Sequence, residues 1–252
     1  MQNVILAGGG SQAWFAKIAS DFQQTFIEKD RWLMFLKGLG ITIEVALLAL
    51  VLGIVIGICV AIVRSTHDQR RTKQKTFGTV ILDIVNVICK IYLTVIRGTP
   101  MMVQLLIMYF VIFASSRNTV MVAVLAFGIN SGAYVAEIVR GGIMSIDAGQ
   151  MEAGRSLGLN YGQTMKSIII PQAIKNILPA LGNEMIVLLK DTSLVTVIGL
   201  MDLTKTAQVI QGATYQAYMP LLGAAGVYLV CVIILSKVLA ILERRLRAGD
   251  KR

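Results

Sequence analysis

The sequence predicts an all-α protein that crosses a membrane several times. Of its 252 residues, 56% are hydrophobic and only 15% are charged, and the mean hydropathy of +0.71 is too high for an ordinary soluble domain. Several apolar segments have a length of about 20 residues, which an α-helix needs to cross a bilayer. The net charge of +10 is concentrated in blocks beside these segments. This arrangement follows the positive-inside rule, so it indicates a lipid bilayer rather than nucleic acid as the partner.

Five membrane spans are predicted from the apolar segments and their polar boundaries. In chain order, they cover residues 38–63, 78–114, 119–140, 183–200 and 219–242. The first span contains Gly53-x3-Gly57 and the third contains Gly128-x3-Gly132. Small residues at this spacing let a neighbouring helix approach closely, so we expect both motifs to lie at helix contacts.

The second span is the least regular, because polar residues form one stripe along residues 83–97. Such a helix either lies along the inner membrane surface or extends from the cytoplasm with its stripe against a neighbour. We expect the second arrangement, because the apolar residues after Pro100 are too few to cross the bilayer alone. Gly98 and Pro100 would then kink the span.

The two ends of the chain indicate its orientation. Residues 1–37 are predicted to form an external segment, with an amphipathic helix at residues 12–37 on the membrane surface, ahead of a membrane domain at 38–245. The basic loop 64–75 and the basic tail 246–252 are predicted to be cytoplasmic. Five spans then place the N-terminus outside. The first residues lack a basic region followed by a long apolar run, so we expect no cleavable signal peptide.

The cytoplasmic stretch at residues 145–173 is predicted to be a bent helical hairpin. Asp147 and Asn160 are N-cap acceptors, and each is followed three residues later by a glutamine that can reach back to the cap. Gly158 can adopt the left-handed conformation that ends a helix. Pro171 cannot continue a regular hydrogen-bond ladder. We therefore expect a short helix, a tight bend at Gly158, and a second helix that ends at Pro171.

The same stretch carries a sequence signature. Glu152-Ala153-Gly154, Gly158 and Ile168-x-Ile170-Pro171 are spaced like E-A-A, x3, G, x9, I-x-L-P, with Gly154 and Ile170 as departures. This pattern resembles the EAA motif of the membrane permease subunits of ABC importers. Three further passages resemble the polar amino-acid branch of that family (histidine, glutamate, glutamine, arginine and opines); they are Arg97–Pro100, Ala133–Gly142 and Leu189–Leu194.

The resemblance implies the type I importer fold and a permease that works by alternating access in the bacterial cytoplasmic membrane. It implies that cytoplasmic ABC ATPase subunits, two in number, receive the bent helix in a groove and bind ATP and Mg²⁺, while this chain binds no cofactor. A second permease subunit, identical or paralogous, and an extracellular or periplasmic amino-acid-binding protein would complete the complex. The ATPase-coupling residues would be Glu152, Ala153, Gly154, Arg155 and Gly158.

Candidate substrate-pathway residues cluster around the fourth span. Glu184 and Asp191 are seven residues apart, so they lie on nearly the same helix face. A charge inside the bilayer costs about 2.5–3.5 kcal/mol, so it is expected to be paired, hydrated or functional. Two interpretations are open. Asp191 could form a structural ion pair with a basic residue of another span; the candidates are Lys90, Arg97 and Arg140. Alternatively, Glu184 and Asp191 hold the ammonium or basic group of a substrate, which the resemblance favours. The further pathway candidates are polar residues: Thr192, Ser193, Gln104, Asn130 and Ser131.

Other function classes are disfavoured by what the sequence lacks. It has no G-x4-G-K-[ST] phosphate-binding loop, so we do not expect this chain to hydrolyse ATP. One histidine and three cysteines give no catalytic or metal-binding arrangement. Two alternatives stay open, namely an ATP-independent secondary transporter or channel and a non-conducting membrane assembly subunit. The carboxylates of the fourth span fit arginine or histidine as substrate, and equally the ammonium group of glutamine or cystine.

Overall fold

The regular secondary structure is helical throughout the part of the chain that the structure describes. This computed structural model describes residues 6–68 and 76–248. The α-helices are α1 Leu6–Phe22, α2 Arg31–Asp68, α3 Phe77–Gly98, α4 Met101–Ile107, α5 Thr119–Met144, α6 Ala148–Ser156, α7 Tyr161–Thr164, α8 Ile170–Asp191, α9 Leu203–Thr214 and α10 Met219–Ala248. Residues 69–75 of the predicted basic loop and residues 249–252 of the predicted basic tail lie outside the described residues.

Four helical segments among the described residues are long and apolar enough to cross a membrane. They are Ala13–Asp68, Phe77–Gly98, Thr119–Met144 and Met219–Leu246. The predicted fourth span, residues 183–200, is not in this group because it is divided between the polar end of α8 and a 3₁₀ turn at Thr192–Ile198. The number of five spans and the orientation of the two termini therefore stay predictions.

The helices form two compact units. One is drawn from Met1–Glu44 and Thr192–Cys231, and the other from Val45–Asp191 and Val232–Arg252. The core of the first unit contains an aromatic ring and aliphatic side chains from three helices, namely Phe35, Leu203, Ala207, Ile210 and Ala224. The second unit is built mainly on the contact of α5 with α2, α3 and α8.

The N-terminal segment differs from the single amphipathic helix predicted for residues 12–37. Lys29 and Asp30 have left-handed φ angles of 54° and 53°, which interrupt the helix. A new helix, α2, therefore begins at Arg31, earlier than the predicted first span. The aromatic residues separate as well, because Phe26 packs on Phe35 with ring centroids 5.2 Å apart. Four others are exposed: Trp14, Phe15, Phe22 and Trp32.

The two small-residue motifs pack α2 against α5 in the second unit, as predicted. A Cβ added at Gly57 would lie 2.5 Å from Val135 Cγ1, and a Cβ added at Gly128 would lie 2.6 Å from Leu52 Cδ2. The other glycine of each motif has an equally close neighbour on the opposite helix. Because lipid tails provide no hydrophobic drive for helix association, close backbone packing of this kind stabilises the pair.

The predicted second span is two helices rather than one kinked helix. α3 ends at Gly98, and Thr99 (φ −119°, ψ 146°) and Pro100 (φ −64°, ψ 135°) are extended before α4 begins. Proline disfavours the helical conformation of the residue before it and has no N–H to donate. The Gln104 side chain caps this break, because its Nε2 donates to the carbonyl of Ile96 and the hydroxyl of Thr99, both at 2.7 Å.

The second helix of the hairpin does not end at Pro171, so that prediction was wrong. After α7, a π-helical turn at Met165–Ile169 leads directly into α8, which runs through Pro171 and Pro179 to Asp191. A π-helical turn shifts the hydrogen-bond register, so the ring and the missing N–H of Pro171 are accommodated without a stop. One continuous helix therefore connects the hairpin to the predicted fourth span.

Candidate functional site

The two helices of the hairpin at residues 145–173, which is predicted to be cytoplasmic, have different N-caps. At the start of α6, Asp147 Oδ1 accepts a backbone N–H at 2.7 Å. The side chain of Gln150 accepts from Gln172 at 3.5 Å instead of reaching back, so the reciprocal half of this predicted capping box is wrong. At α7, the side chains and backbone N–H groups of Asn160 and Gln163 exchange two hydrogen bonds of 2.9 Å. The second predicted capping box is therefore confirmed.

Gly158 forms the bend between α6 and α7. Its φ angle is +85°, a conformation that L-residues with a side chain rarely adopt. Two hydrogen bonds close the bend: the N–H of Leu159 donates to the carbonyl of Gly154 at 3.1 Å, and the N–H of Gly158 donates to the carbonyl of Arg155 at 3.0 Å. This is the Schellman arrangement, so the predicted helix end at Gly158 is confirmed.

The predicted coupling residues divide into an exposed face and an internal contact. Glu152, Ala153 and Arg155 are exposed on α6. Gly154 is buried instead, because a Cβ there would lie 2.5 Å from Thr164 Cγ2. Its small size therefore serves the packing of α6 on α7 within the hairpin. Leu157, a residue that the motif does not include, is 80% exposed beside the bend.

Glu184 and Ser131, predicted separately as pathway residues, form a buried pair between α8 and α5. Ser131 Oγ donates to Glu184 Oε1 at 2.7 Å, and the exposed fractions of the two residues are 9% for Glu184 and 0% for Ser131. Gly53 of α2 lies behind the serine, since a Cβ there would be 2.8 Å from Ser131 Oγ. No Lys or Arg of the described chain forms an ion pair with this carboxylate. The carboxylate therefore accepts a hydrogen bond from one hydroxyl group but has no cation among the described residues to neutralise its charge.

Gln104 and Asn130 form a second polar pair that is partly structural. Asn130 Nδ2 donates to Gln104 Oε1 at 2.9 Å. Because the Nε2 group of Gln104 is already bonded at the end of α3, this pair links α3 and α4 to α5. Asn130 and Ser131 are neighbours in sequence, so their side chains leave α5 about 100° apart. The pairs formed by Gln104 and by Glu184 therefore use different sides of α5.

Among the described residues, Asp191 forms no ion pair with Lys90, Arg97 or Arg140, so the structural ion pair stays a prediction. Two of its three candidate partners are engaged elsewhere: Arg97 with Glu137 at 3.7 Å, and Arg140 with Asp68 at 3.4 Å. Asp191 is half-buried at the last position of α8. Lys90, the third candidate, is exposed on α3.

Thr192 and Ser193 belong to a different compact unit from Glu184 and Asp191. The boundary between the two units falls between Asp191 and Thr192. Thr192 opens the 3₁₀ turn and is fully buried, whereas Ser193 is half-buried. The structure therefore brings Glu184 together with Ser131, and it describes Thr192 and Ser193 within the first unit.

Asp202 is a buried acid of the first unit that sequence reasoning missed. It is fully buried and caps α9 by accepting the N–H groups of Thr204 at 3.0 Å and Lys205 at 2.8 Å. The hydroxyl of Tyr228 lies 3.3 Å from its second oxygen. Burial raises the pKa of the Asp202 carboxyl, although these hydrogen bonds oppose the shift. An aspartate just before an amphipathic helix was the available signal for this cap.

The described part of the chain contains no candidate metal site, because no three His, Cys, Asp or Glu side chains are grouped there. The hairpin and the polar pairs offer charges and hydrogen-bonding groups for recognition. A helical membrane chain with such a hairpin is compatible with a transport component.

Comparison with known proteins defines the class. The chain belongs to the family described as "Binding-protein-dependent transport system inner membrane component", whose model matches residues 78–248. It is thus a multi-pass inner-membrane protein. Its fold is that of type I ABC importer permeases, as predicted.

Two curated relatives and one solved structure illustrate this membership, and a second solved structure is similar in fold. The chain is 39% identical to the arginine transport system permease protein ArtQ of Bacillus subtilis (strain 168), over 85% of this chain and 93% of that protein. It is 37% identical to the glutamine transport system permease protein GlnP of Escherichia coli (strain K12), over the same shares. A crystal structure of an amino acid ABC transporter with histidines matches with a TM-score of 0.74 and 41% identity, over 84% of this chain and 94% of that one. An inward-facing MetNI methionine ABC transporter matches with a TM-score of 0.72 over 87% of this chain and 99% of that one, but at 15% identity it is similar in fold alone.

Proposed function

We propose that this chain is the membrane permease subunit of an ATP-driven importer of a polar amino acid. Family membership supports the permease role, and the relatives named for arginine and glutamine transport support the substrate class. The single observation that carries the proposal is the buried carboxylate of Glu184. It has a hydroxyl partner in Ser131 but no cationic partner in the described chain. A substrate ammonium or guanidinium group would supply that charge.

The exposed face of α6 is the surface by which ATP hydrolysis would be coupled to transport. Glu152, Arg155 and Leu157 offer two charges and an apolar side chain beside the bend. Two cytoplasmic ABC ATPase subunits, which bind ATP and Mg²⁺, would receive this face in a groove. The Schellman bend at Gly158 and the packing of Gly154 on Thr164 make the hairpin stiff. A stiff hairpin can move as one body when the ATPase subunits close, which is what alternating access requires.

Further subunits would complete the transporter. Alternating access needs a second permease half, supplied by a copy of this chain or by a paralogue. An extracellular or periplasmic amino-acid-binding protein would deliver the substrate. In the bilayer, Glu184 of α8 and Ser131 of α5 would contribute to the pathway, and Asp191 would extend it along the same helix. Thr192, Ser193, Gln104 and Asn130 are proposed as supporting polar residues of the pathway.

Glu184→Gln tests the proposed pathway. The variant keeps the size and the hydrogen bond to Ser131 but removes the charge, so uptake of labelled arginine, histidine or glutamine into proteoliposomes should fall by at least about ten-fold, the value of one lost charge-assisted contact. Glu44→Gln, at an exposed carboxylate of α2, is the matched control. The assay contains the complete complex with its ATPase and binding protein. Competition among unlabelled amino acids then identifies the substrate.

Two outcomes would contradict the proposal. Normal uptake and normal substrate-stimulated ATP hydrolysis in the Glu184→Gln transporter would favour an assembly subunit without a pathway. Uptake by proteoliposomes that contain this chain without ATP and without an ATPase partner would favour a secondary transporter or channel.

A further inference from the structure

A basic pocket lies in the second unit, away from Glu184. Its volume is about 460 Å³, and its polar lining comes from three helices: Arg64 of α2, Lys90, Thr94 and Arg97 of α3, and Glu137 of α5. Lys90, Thr94 and Arg97 follow the spacing of one helix face, so they form the basic end of the polar stripe. Three cations and one carboxylate thus meet in one pocket.

The charges of this pocket are not balanced by the described chain. Arg97 Nη1 and Glu137 Oε1 are 3.7 Å apart, so one cation is paired with the only acid. Arg64 and Lys90 form no ion pair with a described carboxylate. The Nε group of Arg64 is buried and has no hydrogen-bond partner. A buried donor without a partner costs about 1–3 kcal/mol, and an anionic ligand beside the guanidinium group would offset part of this cost through its charge.

The surroundings of the pocket are apolar and exposed on the described chain. On α3, Ile91 is 58% exposed and Val95 is 52% exposed. Each directly follows a residue that lines the pocket, namely Lys90 or Thr94. α3 belongs to the helices that are apolar and long enough to cross a membrane. Arg64 lies one turn before the end of α2 at Asp68 and is the first residue of the loop predicted to be cytoplasmic. A ligand in this position would meet cations with one end and exposed aliphatic side chains with the other.

We propose that this pocket binds the phosphate of an anionic phospholipid headgroup at the inner face of the membrane. The guanidinium group of Arg64 and the ammonium group of Lys90 donate to the phosphate oxygens, which matches the preference of these groups for phosphate. Glu137 holds Arg97 at the edge of the pocket and limits its positive charge. The acyl chains lie along the exposed aliphatic residues of α3. Basic pockets between transmembrane helices on the cytoplasmic side suit this class of ligand.

The experiment measures lipid selectivity of the full-length chain, purified with its partner subunits in nanodiscs. Spin-labelled phosphatidylglycerol and phosphatidylcholine report the relative association constant by electron paramagnetic resonance. Lys90→Gln and Arg64→Gln should each lower the preference for phosphatidylglycerol by about five-fold, the effect of one basic residue near an anionic surface. Lys237→Gln, at an exposed lysine of α10, is the matched control and should leave the preference unchanged.

A second variant separates binding from misfolding. Glu137→Gln removes the acid and frees Arg97, so it should strengthen the preference for phosphatidylglycerol, which a misfolded protein would not do. The proposal would be overturned if Lys237→Gln lowered the preference for phosphatidylglycerol as much as the pocket variants do. It would also be overturned if Lys90→Gln and Arg64→Gln left that preference unchanged. Inorganic phosphate that displaces phosphatidylglycerol from the unmodified protein would assign the pocket to a soluble phosphate, and it would overturn the lipid assignment.

Discussion

Substitution of Gly158 tests whether the bend of the hairpin transmits force. Gly158 has a φ angle of +85°, and a Cβ added there would have no atom within 4 Å. The effect of Gly158→Ala is therefore a backbone effect without a steric clash. For an L-residue, the left-handed conformation costs about 1–2 kcal/mol relative to glycine. A β-branched residue such as valine at this position is expected to cost more.

This free-energy cost determines how often the variant adopts the native bend. A cost of 1–2 kcal/mol lowers the ratio of native to alternative bend geometries by a factor of about 5–30. Apart from the bend itself, the relative direction of α6 and α7 is held by the packing of Gly154 against Thr164 and Ile168. The bend lies between α6 and α7, outside the helices that are long and apolar enough to cross a membrane, so the amount of inserted protein should not change. Coupling should be lost before stability is lost.

The assay compares ATP hydrolysis with amino-acid uptake in proteoliposomes that contain the complete transporter. Gly158→Ala should lower the number of substrate molecules imported per ATP, and Gly158→Val should lower it further. Gly162→Ala is the matched control, since Gly162 lies in the same hairpin without a left-handed φ angle, and the nearest atom to a new Cβ is 3.5 Å away. An unchanged import ratio in Gly158→Val, with normal expression, would refute the coupling role of the bend.

Two further results are expected from thermal unfolding of purified protein. Gly154→Val should destabilise the hairpin by about 1–3 kcal/mol through overpacking against Thr164, and Thr164→Ala in the same chain should recover part of the loss; no recovery would show that the contact is not the cause. Asp202→Ala should cost about 1 kcal/mol through loss of the α9 cap. In the folded protein, burial raises the pKa of Asp202 above its ordinary value of 3.8. The folding stability that the protonated carboxyl contributes is therefore complete below pH 3.8 and is lost as the pH rises through the folded-state pKa. The stability difference between wild type and Asp202→Ala should therefore shrink on raising the pH, and a growing difference would contradict this reasoning.

Local sequence patterns predicted the features that depend on neighbouring residues. The Asn160 capping box and the helix end at Gly158 follow from backbone chemistry within a few positions. The small-residue motif around Gly57 predicted a helix contact for the same reason, because only small residues let two backbones approach. These features needed no knowledge of the fold.

Features that depend on distant partners could not be predicted in the same way. The hydrogen bond from Ser131 to Glu184 joins residues 53 positions apart, so only the pairing of α5 with α8 reveals it. The sequence gives three basic residues as candidate ion-pair partners of Asp191. Which of them it can reach depends on how the helices pack, and Arg97 is paired with Glu137 instead. The sequence predicts a helix end at Pro171 because it does not show the π-helical turn that precedes this residue.

The continuity of α8 changes how the hairpin and the proposed pathway can communicate. From Ile170 to Glu184 the helix rises about 21 Å, without a non-helical residue at Pro171 or Pro179. α8 is also in close contact with α5 through Gly142, where a new Cβ would overlap the Ile177 side chain. A displacement of α6 would reach α8 through the contact of Gly154 with Thr164, and α8 would carry it along its axis to the carboxylate. The Ser131–Glu184 hydrogen bond would then be the first pathway contact to change. We therefore expect Gly154→Val and Gly158→Val to weaken substrate stimulation of ATP hydrolysis as well as uptake, because coupling between two sites is reciprocal.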